Sequence, residues 1–218
     1  MLKYIMKFDI ITLFPEMFAG VFDVSIIGRA KEKGLVEINF HQMRKWAWNS
    51  YGAVDDRPYG GDVGMLIRVD VIDKALKEIK GEKSHIILTS ARGKRFTQED
   101  AKRLAKEKNL IIICGHYEGF DERISSLVDE EISIGDYVLT GGEIPAMVIT
   151  DSVSRLLPGV LGKDESSQVE SFSDPEKNIE FPQYTRPAEY NGQKVPEVLM
   201  SGDPKKIKEW QKKFTEKG

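Results

Sequence analysis

The sequence predicts an α/β fold with a largely parallel sheet. Short apolar runs alternate along the chain with amphipathic segments, and glycine-rich segments follow several of the apolar runs directly. The hydrophobic fraction of 40% is enough to build a core in a chain of 218 residues. Strands that alternate with helices form parallel sheets, and such sheets bind ligands beyond the carboxyl ends of their strands.

The first part of the chain predicts two strands and two helices. Residues 7–13 are an almost continuous apolar run, which is typical of a buried strand, and Pro15 opens a short helix over residues 14–22. A helix over 25–33 and an alternating strand over 35–40 follow. Residues 43–64 mix aromatic, basic and glycine residues without either periodicity. We therefore predict a long loop there, and loops of that length are usually functional or disordered.

The middle of the chain continues the alternation. Apolar residues spaced by four predict an amphipathic helix over 70–80, and the apolar run at 85–90 predicts a strand that ends in a polar turn at 91–94. A Thr-x-x-Asp pattern resembling a capping box opens a helix over 97–108. The fully apolar run at 110–114 predicts the next strand.

The last part of the chain predicts one strand, three helices and a linker. We expect a helix over 121–128, a strand at 131–134, and a helix that begins at Pro145 and continues to about residue 157. Residues 162–183 have the Ser-, Asp- and Glu-rich composition of a linker. Asp203 and Pro204 suit the N-cap and first position of a final lysine-rich helix.

Composition excludes several classes of protein. Cys114 is the only cysteine, so a disulfide framework is impossible and a cytoplasmic location is expected. Apolar stretches are too short for the roughly 18–20 residues of a membrane helix, so we expect no membrane partner. The net charge of −3 means that a nucleic-acid partner would have to meet local Lys and Arg patches.

Common nucleotide and metal signatures are also missing from the sequence. It contains neither G-x-G-x-x-G after a strand nor a P-loop, and its three histidines lack metal-ligand spacing. We therefore predict no metal ligands among the side chains. Cys114 ends an apolar strand, so we interpret it as a buried small hydrophobe rather than a nucleophile.

Glycine-rich segments follow three of the predicted strands. They span residues 88–93, 114–119 and 134–143. Glycine lets a ligand approach the main chain closely. One such glycine is more often part of an ordinary turn, but three loops at the strand ends of one sheet predict a binding crevice.

Five segments of the chain resemble the bacterial tRNA (guanine-N1)-methyltransferases. They occur in the same order and span nearly the whole sequence: DDRPYGG at 55–61, CGHYEG at 114–119, IGDYVLTGGE at 134–143, LPGVLG at 157–162 and YTRP at 184–187. The resemblance implies a SPOUT-type, largely parallel α/β sheet with a C-terminal trefoil knot, plus a small helical C-terminal domain. Residue patterns alone could not predict the knot, because protein chains as a rule are not knotted.

The resemblance also implies the domain boundaries, the partners and the activity. The knotted domain would comprise residues 1–161, the flexible linker 162–183, and a C-terminal domain that contacts tRNA, shortened relative to many relatives, 184–218. A homodimer would form each active site at the subunit interface. The enzyme would transfer a methyl group from S-adenosylmethionine to N1 of the guanosine on the 3′ side of the anticodon.

The segments of the resemblance also imply which residues bind S-adenosylmethionine, with main-chain groups bonding the adenine. These residues are Leu88, Thr89, Ser90, Gly115, Tyr117, Glu118, Ile134, Gly135, Asp136, Tyr137, Val138, Leu139, Gly141, Gly142 and Pro145. The family often requires Mg²⁺. Since the sequence shows no carboxylate cage, we expect any such ion to be bound weakly and partly by water.

Methylation of guanine N1 requires a base for its proton and a cation to offset charge developing on O6. The resemblance assigns these catalytic roles to Glu170 and Arg155. The family more commonly has aspartate at the first position, and glutamate keeps the chemistry while reaching one methylene further. The alternative interpretation of Glu170 is a solvated linker acid, and that of Arg155 is a surface ion-pairing residue.

Two surfaces are candidates for RNA contact, namely the lysine-rich helix at 204–217 and the aromatic and basic segment at 44–59. Three other functions stay open: a SPOUT enzyme that modifies another RNA site, a non-catalytic RNA-binding protein that has kept the pocket, and a flavodoxin-like nucleotide binder.

Overall fold

The computed structural model describes residues 5–161 and 181–215. The chain divides into two compact units, residues 1–162 and 163–218. Most of the predicted linker at 162–183, including Glu170, lies outside the described residues. Within residues 5–161 and 181–215, none of the helices combines the length and apolar character that crossing a bilayer demands.

The first unit is built on a parallel five-stranded sheet. The strands of this unit, in chain order, are β1 (Met6–Thr12), β2 (Val36–Gln42), β3 (Asp55–Asp56), β4 (Leu66–Ile67), β5 (Ser84–Arg95), β6 (Asn109–Ile113) and β7 (Glu130–Ser133). Strands β3 and β4 form a separate two-stranded sheet. The five-stranded sheet has the order β2-β1-β6-β5-β7, and every neighbouring pair in it is parallel. The predicted α/β class with a largely parallel sheet is thus confirmed.

Helices cover both faces of this sheet. They are α1 (Ala19–Phe22), α2 (Ser25–Glu32), α3 (Val69–Ile79), α4 (Gln98–Leu104) and α5 (Glu143–Ser154), with short 3-10 helices at Pro15–Phe18, Met43–Trp46 and Glu122–Leu127. Helix α3 packs on one face, whereas α2, α4 and α5 pack on the other. Because side chains alternate along a strand, Ile112 and Ile113 of β6 belong to opposite cores. Burial on both faces explains the continuous apolar runs.

The predicted turn at residues 91–94 is wrong, because β5 extends through them to Arg95. Thr89 and Lys94 both pair with Ile132 of β7, so the intervening residues lie outside the regular ladder. The polar composition of this segment suggested a turn, but main-chain pairing with β7 does not depend on apolar side chains.

The prediction of one long loop over residues 43–64 is wrong in part. The segment begins with a 3-10 helix, and β3 pairs antiparallel with β4 just beyond the loop. Trp46 and Val54 are both buried in the core under α3. Elements of two to four residues are too short to leave a periodic pattern in the sequence.

The second unit contains a small hairpin and two helices. Its elements are β8 (Glu189–Tyr190), β9 (Gln193–Lys194), α6 (Glu197–Met200) and α7 (Pro204–Thr215). The predicted cap of the final helix is confirmed, since Asp203 Oδ1 accepts hydrogen bonds from the amides of Lys205 and Lys206 at 3.0 and 3.3 Å. Trp210 of α7 packs against Phe214, with ring centroids 4.7 Å apart.

Candidate active site

A cavity of about 460 Å³ lies at the carboxyl ends of β5, β6 and β7. Its walls come from the loops that follow β6 and β7 and from residues 88–92 of β5. The volume falls within the range of small-molecule sites, roughly 300–1,000 Å³. This is the edge of the sheet at which the glycine-rich segments predicted a crevice.

Fourteen of the fifteen residues predicted to bind the cofactor line this cavity. They are Leu88, Thr89, Ser90, Gly115, Tyr117, Glu118, Ile134, Gly135, Tyr137, Val138, Leu139, Gly141, Gly142 and Pro145. Asp136 is the exception in the described part of the chain. Its side chain is 86% exposed and pairs with Arg95 at 2.8 Å.

Thr89 and Gly142 hold the three walls together. Thr89 Oγ1 donates to the Ile113 carbonyl at 3.0 Å, which joins β5 to the end of β6. The Gly142 amide donates to the Gly115 carbonyl at 2.8 Å, so the loop after β7 rests on the loop after β6. A Cβ at residue 142 would lie only 2.7 Å from Cα of Cys114. This close approach of main chains requires glycine.

Tyr117 has an unusual main-chain conformation in the cavity wall. Its φ is +62°, in the left-handed region that bulky residues rarely adopt. Such conformations cost of order 1–3 kcal/mol and cluster at ligand sites, where the surrounding structure maintains them. The strained residue therefore marks the loop after β6 as part of a binding site.

The charged lining of the cavity is mainly acidic. The lining carboxylates are Glu118, Asp121, Glu122 and Glu131. Arg92 pairs with Glu122 at 2.8 Å, and this hydrogen bond raises the pKa of the arginine. Arg123 pairs with Asp121 at 2.6 Å and lowers the pKa of that carboxyl group. An acidic cavity favours a ligand that carries positive charge.

The three histidines are each within hydrogen-bond distance of a carboxylate. The pairs are His41 with Asp9 at 2.8 Å, His85 with Glu130 at 2.6 Å and His116 with Glu143 at 2.8 Å. Among the residues that the structure describes, no group of three or more His, Cys, Asp or Glu side chains is placed to hold a metal ion. Cys114 is fully buried, as predicted, and burial raises the pKa of its thiol far above the ordinary value.

The predicted catalytic residues do not meet in the described part of the chain. Arg155 is half-buried and directly follows the last residue of α5, and it is not among the residues that line the cavity. With a rise of 1.5 Å per residue, it lies about 15 Å along the helix from Pro145 at the cavity. Glu170 lies outside the described residues.

An apolar patch faces outward beside the amino end of α5. We call Phe14, Met17, Ile144 and Val148 the α5 patch; their side chains are 37–44% exposed. Phe14, Met17 and Ile144 also line a recess of about 130 Å³. Arg155 follows Ile144 by eleven residues, which is three turns of a helix, so it projects from the same side of α5.

The sequence did not reveal several residues of the cavity wall. These include Asp121, Glu122 and Glu131, together with Leu66, Arg92, His116, Phe120 and Thr140. The only available signal was their position within or next to the glycine-rich segments. Leu66 lacked even that signal, because it lies far from these segments in the sequence. Main-chain hydrogen bonds, such as that from the Glu118 amide to the Met65 carbonyl, hold it beside the loop after β6.

A doubly covered parallel sheet with a glycine-walled cavity at its strand ends defines a small-molecule-binding α/β protein. Comparison with known families is more specific. Residues 6–217 match the family described as tRNA (Guanine-1)-methyltransferase TrmD, and the chain belongs to this family. The resemblance found in the sequence is thus confirmed.

Individual relatives agree over almost the whole chain. A protein of Syntrophomonas wolfei is 52% identical over 208 residues, which cover 95% of this chain and 84% of the relative. A protein of Carboxydothermus hydrogenoformans is 53% identical over 209 residues, covering 95% and 82%. One of Streptococcus pyogenes serotype M4 is 54% identical over 205 residues, covering 94% and 84%. Each relative is named a tRNA (guanine-N(1)-)-methyltransferase.

Proposed function

We propose that the protein transfers a methyl group from S-adenosylmethionine to N1 of the guanosine on the 3′ side of the anticodon in tRNA. The observation that carries this proposal is the cavity at the ends of β5, β6 and β7, present in a chain of the TrmD family. We further propose that the reaction takes place in the cytoplasm.

The walls of the cavity suit S-adenosylmethionine. Gly115 and Gly141 bring main chain to the cavity wall, and Leu88, Ile134 and Pro145 place apolar side chains there. The acidic residues of the lining complement the positive sulfonium and ammonium groups of this ligand. S-adenosylmethionine supplies the electrophilic methyl group of the reaction.

We assign the proton transfer to Glu170 and the stabilisation of charge to Arg155. A carboxylate at residue 170 would accept the N1 proton of guanine, and the guanidinium would lie near O6 as negative charge develops there. The family resemblance around these two positions supports the assignment. We propose that any Mg²⁺ that takes part binds weakly and keeps much of its water shell, since this ion dehydrates reluctantly.

We propose a homodimer in which each active site uses both subunits. The α5 patch is an exposed apolar surface on a well-packed unit, and such patches favour association. In a two-fold dimer the same surface meets itself. If two copies of α5 lie antiparallel across the axis, Arg155 of the partner subunit approaches the amino end of α5, where the cavity is. This arrangement would supply the arginine that one subunit keeps about 15 Å from its own cavity.

We also propose that residues 1–161 form a trefoil-knotted domain. Its support is the path of the loop after β7, which lies against the ends of both β5 and β6 at Gly142. Residues 162–183 would then act as the linker to a C-terminal domain at 184–218. Helix α7 of that domain exposes five lysines suited to tRNA phosphates: Lys205, Lys206, Lys208, Lys212 and Lys213.

Methyl transfer to matched transcripts tests the proposed function. One tRNA transcript carries guanosines at the third anticodon position and at its 3′ neighbour, and the other is changed only at that neighbour. We expect labelled methyl to enter the first transcript alone, at N1 of the neighbour. Transfer to another nucleotide would favour a different RNA site. Binding of S-adenosylmethionine by calorimetry without transfer to either transcript would favour a non-catalytic protein.

A further inference from the structure

We propose that Glu143 and His116 act as one unit that positions the loop at residues 139–142 for cofactor binding. Both are positioning residues, because neither is assigned a contact with the reacting atoms. The inference rests on the proposed function only in taking S-adenosylmethionine as the ligand of the cavity.

Glu143 is a buried carboxylate with a partner on each oxygen. It is the first residue of α5 and is 1% exposed. Thr12 Oγ1 at the end of β1 donates to Glu143 Oε1 at 2.6 Å, and His116 Nε2 lies 2.8 Å from Oε2. The amino end of a helix also favours negative charge. Three segments that are distant in sequence are therefore joined at this one side chain.

The pair lies directly beneath the main chain of Gly141. A Cβ at residue 141 would overlap the imidazole of His116 and come within 2.5 Å of Glu143 Oε2. On the other side of the loop, the Gly142 amide is bonded to the Gly115 carbonyl. The loop is thus fixed between the pair and the end of β6. Gly141 and His116 both line the cavity, so a shift of the pair changes the shape of the cavity.

The same pair supports the wall on the β6 side. The ring of His116 packs edge-on against Phe14, with centroids 4.9 Å apart. Tyr117, the next residue, has the strained φ of +62°. Because a strained conformation persists only where its surroundings maintain it, the anchored His116 also helps to hold Tyr117 in place.

Glu143 itself stands behind the cavity wall. It lines the small recess beside the α5 patch, and it is not among the described residues that line the main cavity. A direct contact with the cofactor is therefore not its role. A purely structural role would lower the stability of the protein without a selective effect on the cavity, and this difference can be measured.

The test compares Glu143→Ala, His116→Ala and the double variant. Glu143→Gln is the conservative variant, and Asp100→Asn is a control because Asp100 is a buried carboxylate bonded to Lys94, away from the cavity. Calorimetry measures the Kd for S-adenosylmethionine, steady-state kinetics separate KM from kcat, and amide hydrogen exchange follows residues 139–142 in cofactor-free protein.

We expect each alanine variant to raise the Kd and KM for S-adenosylmethionine by about tenfold or more, the scale of a lost buried hydrogen-bond partner. The kcat at saturating cofactor should change by less than about threefold, since binding energy and not the reacting groups is altered. The Kd of the double variant should exceed that of the weaker-binding single variant by no more than about threefold, because the two residues act as a unit. Glu143→Gln and Asp100→Asn should bind within about threefold of the unaltered protein.

Three results would separate the possible failures. Unchanged Kd and unchanged exchange in the alanine variants would overturn the pair's role while leaving the proposed function intact. Losses that multiply in the double variant would also overturn it. If the unaltered protein does not bind S-adenosylmethionine but exchange at 139–142 rises in the variants, the positioning role stands and the proposed function falls. If Glu143→Ala fails to fold, His116→Ala alone tests the role, and an unchanged Kd with unchanged exchange at 139–142 in that variant would overturn it.

Discussion

Thr97 and Asp100 cap α4 reciprocally: the Asp100 amide donates to Thr97 Oγ1 at 3.4 Å, and the Thr97 amide donates to Asp100 Oδ2 at 3.1 Å. The second carboxylate oxygen of Asp100 pairs with Lys94 at 2.7 Å. Burial alone would raise the pKa of Asp100, but the hydrogen bonds from Lys94, Thr97 and Arg103 together outweigh it and lower the pKa below its ordinary value.

We predict that Asp100→Asn destabilises the protein at neutral pH and not at strongly acidic pH. A carboxyl group with a lowered folded-state pKa contributes stability above its unfolded pKa, and that contribution is lost as the pH falls through the folded pKa. Near pH 7 the loss should be about 1 kcal/mol in the free energy of unfolding, as for other helix caps. Urea unfolding across a pH series measures it, with the exposed neighbour substitution Glu99→Gln as control. A difference that stays constant down to the lowest pH would contradict this.

Arg68 anchors the segment around Trp48, and its replacement by lysine should weaken tRNA binding. The guanidinium carbon lies 4.7 Å from the centroid of Trp48, and the nitrogens bond Asp70 at 2.9 Å and Asp56 at 3.0 Å. Lysine keeps the charge but cannot make both the stack and the forked pair.

In the Arg68→Lys variant we expect the Kd for tRNA to rise by about fivefold, which is the scale of one cation–π contact. The Kd for S-adenosylmethionine should stay unchanged. Filter binding and calorimetry measure the two constants. Lys77→Arg is the control, since Lys77 is an exposed partner of Asp73 on α3. Equal tRNA affinity in Arg68→Lys and the control would show that this segment does not contribute to the RNA surface.

The strands were predictable because the parallel sheet is covered on both faces. Burial on both sides forces runs such as 110–113 to be apolar throughout, and such runs need no periodicity to be recognised. The cavity was predictable for a related reason. Parallel strands point to one edge of the sheet, so the glycine-rich segments after β6 and β7 had to converge there, beside residues 88–92 of β5.

What the sequence could not reveal depends on contacts between distant residues. The spacing of His116 in the sequence excluded only a metal site, and its partner Glu143 lies 27 residues further along the chain. The extension of β5 to Arg95 depends on main-chain pairing with β7. The polar side chains of this segment give no indication of that pairing. The family resemblance supplied Arg155, but only the helix geometry shows that it projects from the side of α5 that carries Ile144.

We predict that Ile144→Glu converts a dimer into monomers. A carboxylate in the middle of the α5 patch would be buried without a partner in the dimer, at a cost of several kcal/mol. Light scattering over a dilution series measures the molecular mass. If the active sites are shared between subunits, the rate of methyl transfer should fall as the mass falls to that of a monomer. Val24→Glu is the control, because it places the same charge on a side chain that is 57% exposed and lies outside both the α5 patch and the 44–59 segment. A monomeric Ile144→Glu variant with full activity would contradict the shared site.

Arg155→Ala and Glu170→Ala should each lower turnover strongly while S-adenosylmethionine still binds. Each substitution removes a group that acts on the guanine, so kcat should fall by about a hundredfold or more, the scale of general-base or electrostatic catalysis. Calorimetry should give a cofactor Kd within about twofold of the unaltered protein. Loss of cofactor binding in both variants, with the fold retained, would show that the assigned roles are wrong.

Mixed dimers test whether Arg155 acts across the interface. Arg155→Ala subunits are mixed in equal amounts with Gly141→Val subunits, whose added side chain would overlap His116 and block the cavity wall. Random exchange makes half of the dimers mixed, and if the arginine serves the partner's cavity, each mixed dimer has one complete site. We then expect roughly a quarter of the activity of the unaltered protein, although each variant alone is inactive. If Arg155 serves its own subunit, every site in a mixed dimer lacks one component, and the mixture stays as inactive as its parts.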